Sequence, residues 1–415
     1  MRDERMCAAW KNQLNMEVLL RKINAARKQD SSGTFVFHGL EYFEAVAALM
    51  SNLQMDRQIP AIDREGLVRA AMRVAAQRGE ISAQAALRAI SNSEAQYLKK
   101  PLTTFHLCTS LSMQALPTLR TRKLSETLFA FSTHRPRHYD IGPLERKIEH
   151  HCGNLRPFRE YMAVRVIVRD RTALAGASKA LDCLDLLRAF WNFYWNLRHP
   201  YRMSSDPHPV NSILRGPFHT IHTDDGMLAT EEFYYEQYKT KPPVPERRVA
   251  TEWPKFHKFE TDLRRRLRQI PYRDQLERSL RFYVRALDQS DYDQAFVGLW
   301  TTLELLTDTP MARYDVTVKR AAFVWEAHDY HQSVLSYLRQ LRNITVHSDE
   351  FGQDGESSVY QLKQYVEQLF KFHLFNRFRF GSIAEACALL DMPAGREELK
   401  GRVRLAQNAL RYRSR

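Results

Sequence analysis

Apolar residues recur at helical spacing over much of the first 132 positions. Leu67, Val68, Ala71, Val74 and Ala75 follow one such pattern, which resumes over 82–90 after a break at Gly79. The segment 12–132 is therefore predicted to be mostly helical. The apolar run 33–37, ahead of Leu40, Glu41, Tyr42 and Phe43, fits either a short strand or the entry to a helix. After Arg135-Pro136-Arg137 the period changes. Val164, Val166 and Val168 alternate with Arg165 and Arg169, as in a half-buried strand over 161–168. Positions 172–196 return to the helical period and end on Phe190, Trp191, Phe193, Tyr194 and Trp195, a wide apolar face that reads as core. The runs 210–214 and 218–222, with the turn Asp224-Asp225-Gly226, predict short strands with tight connections.

Lys241-Pro242-Pro243-Val244-Pro245-Glu246 has the proline density of a semi-rigid linker. Beyond it, Leu276, Leu280, Tyr283, Val284 and Leu287 form one helical stripe over 274–287, and a second helix is predicted over 292–307. Pro310 and the polar stretch 312–315 interrupt the pattern, which returns over 318–325 and 334–341 and again in a final helix over 358–378. The fold class is mainly α. Four segments follow: an N-terminal helical domain at 1–135, a small α/β domain at 136–245, a helical bundle with a basic lead-in helix at 246–380, and a basic helical tail at 381–415.

Composition fits an ordinary globular chain, with 44% hydrophobic and 27% charged residues. The 62 Lys and Arg outnumber 48 Asp and Glu, for a net charge of +14, and a polyanion such as nucleic acid is the simplest partner for that excess. The alternative is a basic surface that only confers solubility. Both options stay open for the cluster Arg264, Arg265, Arg266 and Arg268, a cationic collar on a helix that suits RNA phosphates, and for the tail residues Arg402, Arg404, Arg411, Arg413 and Arg415. Cys7, Cys108, Cys152, Cys183 and Cys387 are scattered without zinc-ligand spacing, which suits a reducing compartment. No apolar run approaches the ~18–20 residues that span a bilayer, so a cytoplasmic protein without membrane contact is expected. His219 and His222, three apart on a strand, point to opposite faces and are not expected to share a metal. No metal or cofactor site is expected elsewhere.

The most informative stretch is Leu341-Arg342-Asn343-Ile344-Thr345-Val346-His347-Ser348-Asp349, followed by a glycine-bearing segment at 350–355. On an ideal helix Arg342 and His347 stand about 140° apart, so they converge only if the helix bends or ends between them. Chemically the pair suits metal-free RNA cleavage. An imidazole near its ordinary pKa of ~6.5 exchanges protons at neutral pH, while a guanidinium grips a phosphate bidentately and stabilises charge building on its oxygens. Attack by the ribose 2′-hydroxyl then leaves a 2′,3′-cyclic phosphate. The spacing alone is weak, since 62 basic residues and 15 histidines generate it about two times by chance. Arg146 and His151 repeat it in a charged segment without flanking apolar helices.

Over 274–379 the chain resembles the HEPN superfamily, whose members carry an Arg, four to six residues and a His, with a polar residue such as Asn343 beside the Arg. The segment 295–306 resembles the family helix that bears an acidic residue, which maps onto Glu304. Within the superfamily the chain looks most like the ApeA-type branch, in which an α/β region precedes the HEPN helices. The resemblance implies a four-helix up-and-down bundle and a metal-independent endoribonuclease acting on transfer or messenger RNA. It implies catalysis by Arg342, His347, Asn343 and Glu304, and a homodimer with a composite cleft. The implied setting is bacterial anti-phage defence or toxin activity, with a phage-derived trigger or an inhibitory partner. Ser348-Asp349 after the His departs from the His-x-Tyr ending of the toxin branch paired with nucleotidyltransferases. The alternatives are a non-catalytic HEPN module that binds nucleic acid or a partner protein, and a DNA-binding regulator.

Overall fold

The structure is a computed structural model that describes residues 8–11, 14–31, 33, 35–199, 201, 207–236, 244–309, 314–347 and 355–413, with the side chains of 157 and 345–347 outside the description. It is mainly helical, with fourteen α-helices among the described residues and a smaller strand content. None of those helices is long and apolar enough to cross a membrane. Two compact units emerge: Met1–Leu107 with Ile167–Ala180 and Ile221–Thr230, and Cys108–Val166 with Leu181–Thr220 and Glu231–Arg415. Their limits differ from the divisions at 135 and 245 drawn along the sequence. Each unit gathers stretches distant in the chain, which a linear pattern does not reveal.

In the first unit the chain runs through β1 (Ala9–Trp10), α1 (Met16–Ala25), β2 (Arg27–Gln29), β3 (Phe35–Phe37), α2 (Leu40–Ser51), β4 (Leu53–Gln54), α3 (Ala61–Ala76) and α4 (Ala83–Lys99). Within the apolar run at 33–37, Phe35–Phe37 form strand β3, paired antiparallel with β2. Val68, Ala71 and Ala75 of α3 join Ile23, Leu49 and Ile90 in one core, whereas Val74 is 45% exposed on the far side of the helix. The buried Asp63 carboxylate accepts hydrogen bonds from the Tyr97 hydroxyl at 2.5 Å and from Thr172 Oγ1 at 2.9 Å, which satisfies a charge that burial would otherwise penalise.

Helix ends at Lys99, earlier than the sequence pattern suggested. Strands β5 (Thr103–Leu111), β6 (Thr121–Leu124) and β7 (Thr127–Ser132) follow, and β5 is buried on both faces from Phe105 to Thr109. Ser125, at φ 52°, makes the tight turn between β6 and β7. Next come α5 (Glu145–Cys152), β8 (Met162–Asp170), α6 (Ala173–Asn196), β9 (Phe218–His222) and β10 (Tyr234–Tyr235). The sheet has the order β10-β9-β5-β8-β7-β6. The predicted strand at 210–214 is absent. There the backbone is held by side chains and caps instead: Ile213 N donates to Asn192 Oδ1 at 2.9 Å, and Asn211 N donates to Leu287 O at 3.1 Å.

The rest of the second unit is helical: α7 (Arg248–Arg268), α8 (Arg273–Leu287), α9 (Tyr292–Leu306), α10 (Tyr314–Phe323), α11 (His328–His347), α12 (Gly355–Phe375), α13 (Ile383–Leu390) and α14 (Arg396–Arg413). α9 packs against both α8 and α12 and also touches α11, while α10 packs on α11. Gly298 allows the first of these contacts, since a Cβ there would stand 2.7 Å from Ala286 Cβ on α8. The aromatic end of α6 is core, as its width implied: Phe193 meets Tyr283 of α8 and Phe370 of α12 edge-on, with centroids 6.0 and 5.7 Å away. Beneath it the Tyr283 hydroxyl donates to Glu367 Oε1 at 2.5 Å, and buried Lys363 Nζ donates to Asn196 O at 2.8 Å. The segment read as a tail is not uniform. α13 packs on α10, with Arg320 bonded to Asp391 at 2.7 and 2.8 Å, whereas α14 buries none of its residues.

Candidate active site

Asp291 opens α9 by accepting the backbone N–H groups of Asp293 and Gln294, and Phe296, Leu299, Trp300, Leu303 and Leu306 then bury one face. Glu304 lies at the edge of that face, half-buried. The Trp300 indole N–H, one turn earlier, donates to Glu304 Oε1 at 2.9 Å. Burial pushes the Glu304 carboxyl above the usual carboxylate range, opposed by the Trp300 hydrogen bond and by the positive charge of Arg342. Two of the residues singled out from the sequence, on separate helices, thus belong to one electrostatic cluster.

Arg342 is partly buried on α11, with its guanidinium carbon 4.8 Å from the centroid of the Tyr314 ring. Tyr314 opens α10 and meets Trp300 edge-on at 6.4 Å, so α9, α10 and α11 each supply a wall around the guanidinium. Asn343 Oδ1 is 3.5 Å from Arg342 Nη1, at the outer limit of a hydrogen bond. His347 is the last residue of α11, and its side chain lies outside the described residues, as does the segment 348–354. The helix runs unbroken through His347, so no helix end falls between the Arg and the His. By helical geometry their Cα atoms stand about 140° apart about the axis.

Neither Tyr314 nor the supporting role of Trp300 was singled out from the sequence. Trp300 precedes Glu304 by one helical turn and was legible in principle. Tyr314 sits in the polar stretch after Pro310 and reads there as an interruption.

The basic collar is largely engaged within the chain. Arg264 donates to Glu260 Oε1 at 3.2 Å and to the Lys123 carbonyl, and Arg265 pairs with Asp262 at 2.8 Å. Arg266 lies 4.5 Å from the Phe375 centroid, and Arg268 Nε donates to the Arg264 carbonyl at 3.3 Å. Arg264 and Arg268 also border a cavity of about 390 Å³, where Arg273 and Lys123 are balanced by Asp274 and Glu277. All four arginines are therefore held by their own helix or its neighbours, and Arg265 is the more open of the two ion-paired ones, its side chain 62% exposed.

The duplicate spacing at Arg146 and His151 falls on the short helix α5, where the His151 ring stacks on Tyr235 at 5.0 Å. His219 and His222 have separate partners. His219 accepts from the Thr109 hydroxyl at Nδ1, 2.6 Å, and donates from Nε2 to Glu236 at 2.9 Å, while His222 Nδ1 donates to the Gly226 carbonyl at 2.9 Å. No group of three or more His, Cys, Asp or Glu among the described residues could hold a metal ion.

No protein-family model matches the chain, and neither the curated proteins nor the solved structures contain a match. The chemistry of the site rests on its own residues.

Proposed function

We propose that the chain is a metal-independent endoribonuclease of the HEPN type, built on the helices α8, α9, α11 and α12. The observation that carries this reading is that Arg342 and Glu304, on separate helices, lie within electrostatic reach of each other, with the guanidinium backed by the Tyr314 ring. Arg342 binds the scissile phosphate and stabilises the charge on its non-bridging oxygens as the ribose 2′-hydroxyl attacks phosphorus. His347 moves the proton, taking it from the 2′-hydroxyl or giving it to the departing 5′-oxygen. The products are a 2′,3′-cyclic phosphate and a free 5′-hydroxyl. Glu304 and Asn343 orient the guanidinium.

In this proposal the active species is a homodimer that brings two Arg342/His347 motifs to one cleft, which suits two side chains on different sides of a continuous helix. The remaining domains restrain the nuclease until a phage-derived trigger or the loss of an inhibitory partner releases it. Purified protein incubated with transfer and messenger RNA in EDTA is expected to yield cyclic-phosphate ends. Equal cleavage by a His347→Ala variant would overturn the assignment.

A further inference from the structure

On the flank of α11 and α12, Trp325, Tyr330, His331, Tyr337 and Tyr365 line a cavity of about 510 Å³ that neither Arg342 nor Glu304 borders. Their rings are mutually braced. Trp325 and His331 have centroids 4.3 Å apart, Trp325 and Tyr365 meet edge-on at 5.4 Å, and Tyr330 stands edge-on to His331 at 5.1 Å. The Tyr365 hydroxyl and His331 Nδ1 are hydrogen-bonded at 2.9 Å, which fixes the imidazole plane. Aromatic area of this kind is ordinarily consumed in a core, yet Tyr330 is 66% and Tyr337 47% exposed.

The rest of the lining narrows the occupant. Gln361 and Gln364 bring exposed amides from α12, each able to donate and accept, and no Asp, Glu, Lys or Arg is among the described lining residues. Burial lowers the pKa of His331, so its ring is neutral at neutral pH. Such a cavity offers no cation to balance a phosphate or a carboxylate. It also wastes its amides on an aliphatic chain. It fits a flat, uncharged, polarisable ring with a hydrogen-bonding edge, on a chain whose net charge of +14 favours a polyanionic strand nearby.

We propose that this cavity is a nucleobase-stacking subsite for an unstacked base of single-stranded RNA, with Tyr330 and Tyr337 as the stacking faces and the Gln361 and Gln364 amides reading the base edge. It rests on the nuclease reading for its purpose. Tyr337 precedes Arg342 by a rise of ~7.5 Å along α11 and Tyr330 by ~18 Å, and both stand about 120–140° round the helix from it, so the strand would have to pass around α11 over a few nucleotides to join the two. The subsite would fix which phosphate reaches Arg342, and so supply the register of cutting and a preference for single strands.

The test uses full-length protein carrying His347→Ala, to prevent turnover. Binding of a ten-residue oligoadenylate is compared by fluorescence anisotropy with that of an abasic strand of equal length and charge. The oligoadenylate is expected to bind about tenfold more tightly and to quench fluorescence that a Trp325→Phe variant lacks. Tyr330→Ala with Tyr337→Ala is expected to remove that tenfold margin and leave abasic binding unchanged, while the paired Phe substitutions keep it. Thermal melts check that the exposed substitutions leave the fold intact. Unchanged preference in the double Ala variant overturns the subsite. So does a double variant that turns a dimer into a monomer by light scattering while keeping base-dependent binding, since the face would then belong to a second copy. Cleavage assays with the His347-bearing protein judge the nuclease reading separately: loss of base-dependent binding with cleavage intact removes only the subsite, and base-dependent binding without cleavage removes only the nuclease.

Discussion

The guanidinium of Arg342 on α11 rests against the Tyr314 ring at 4.8 Å and, after the Trp300 hydrogen bond, opposes in part the rise that burial gives the Glu304 carboxyl on α9. A cation held over a ring keeps its charge and its donors while losing rotational freedom. The planar fork should therefore matter as much as the charge. Arg342→Lys is expected to reduce single-turnover RNA cleavage on the order of 10²- to 10³-fold, as loss of a preorganised oxyanion donor does. Tyr314→Phe should stay close to the parent rate and Tyr314→Ala should fall well below it. Similar rates in the two Tyr314 variants would show that the ring does not position Arg342.

Glu304 makes a separable prediction about stability. Its folded pKa is raised, first by burial, so the stability it contributes is fully present below its ordinary pKa and is lost as pH rises through the raised one. At pH 7.5 the ionised carboxylate is therefore a net cost. Glu304→Gln keeps an acceptor for the Trp300 N–H and removes that cost. The variant is expected to melt at or above the parent temperature at pH 7.5, with the difference vanishing near pH 4, while cleavage drops at least about tenfold if Glu304 orients Arg342. A variant that loses both stability and activity at pH 7.5 would make Glu304 a structural acid only.

The bundle was legible in the chain because each of its helices buries one face. The stripe Leu276, Leu280, Tyr283, Val284 and Leu287 placed α8 within one residue of its observed start. Strand β5 carries an alternation, Phe105, Leu107 and Leu111 against His106, Cys108 and Ser110, that the helical reading of 12–132 passed over. The predicted strand at 210–214 failed for another reason: its backbone groups are satisfied by Asn192 and by the end of α8, partners remote in sequence. At the site, Arg342, Asn343 and Glu304 were marked by motif and resemblance. Tyr314 was not, because its role depends on α10 folding back against α11. The aromatic cavity was hidden likewise, for Trp325 and His331 meet Tyr365 only through tertiary packing.

A buried ion network ties α6 to the end of α8. Arg188, fully buried, donates to Asp185 at 2.9 Å and to Asp288 at 2.6 Å, and Arg285 Nε donates to Asp185 at 2.7 Å. Burial alone would raise the Asp185 carboxyl, yet Arg215, Arg188 and Arg285 together hold it at about 2. Removing Arg188 takes from Asp288 its guanidinium partner and from the buried Asp185 one of its three, at a site where lost charge pairing is not made up by water. Arg188→Met is expected to cost about 3–5 kcal/mol, read as a shift of the urea midpoint at pH 7. Because the depressed Asp185 pKa places its contribution above pH 3.8 and loses it only toward about 2, the same shift should persist at pH 5. A shift below about 1 kcal/mol would mean that solvent reaches the network.

His373 gives a pH dependence of the same direction in a milder range. Its Nε2–H donates to the Leu306 carbonyl at 2.8 Å, which leaves Nδ1 to accept from the Tyr272 hydroxyl at 3.3 Å. The ring is fully buried, and burial lowers its pKa from 6.5 to about 4, opposed only in part by the bond to Leu306. The folded chain thus keeps the imidazole neutral where the unfolded chain protonates it. Stability from this group is present above pH 6.5 and is lost as pH falls toward 4, by at most about 3 kcal/mol. His373→Gln retains a donor for Leu306 without a titrating ring. Its urea midpoint is expected to lie below the parent's at pH 7.5, since a packed ring is lost, and to draw level with or pass it at pH 4.5. Parallel midpoints across that interval would place the acid sensitivity of the fold elsewhere.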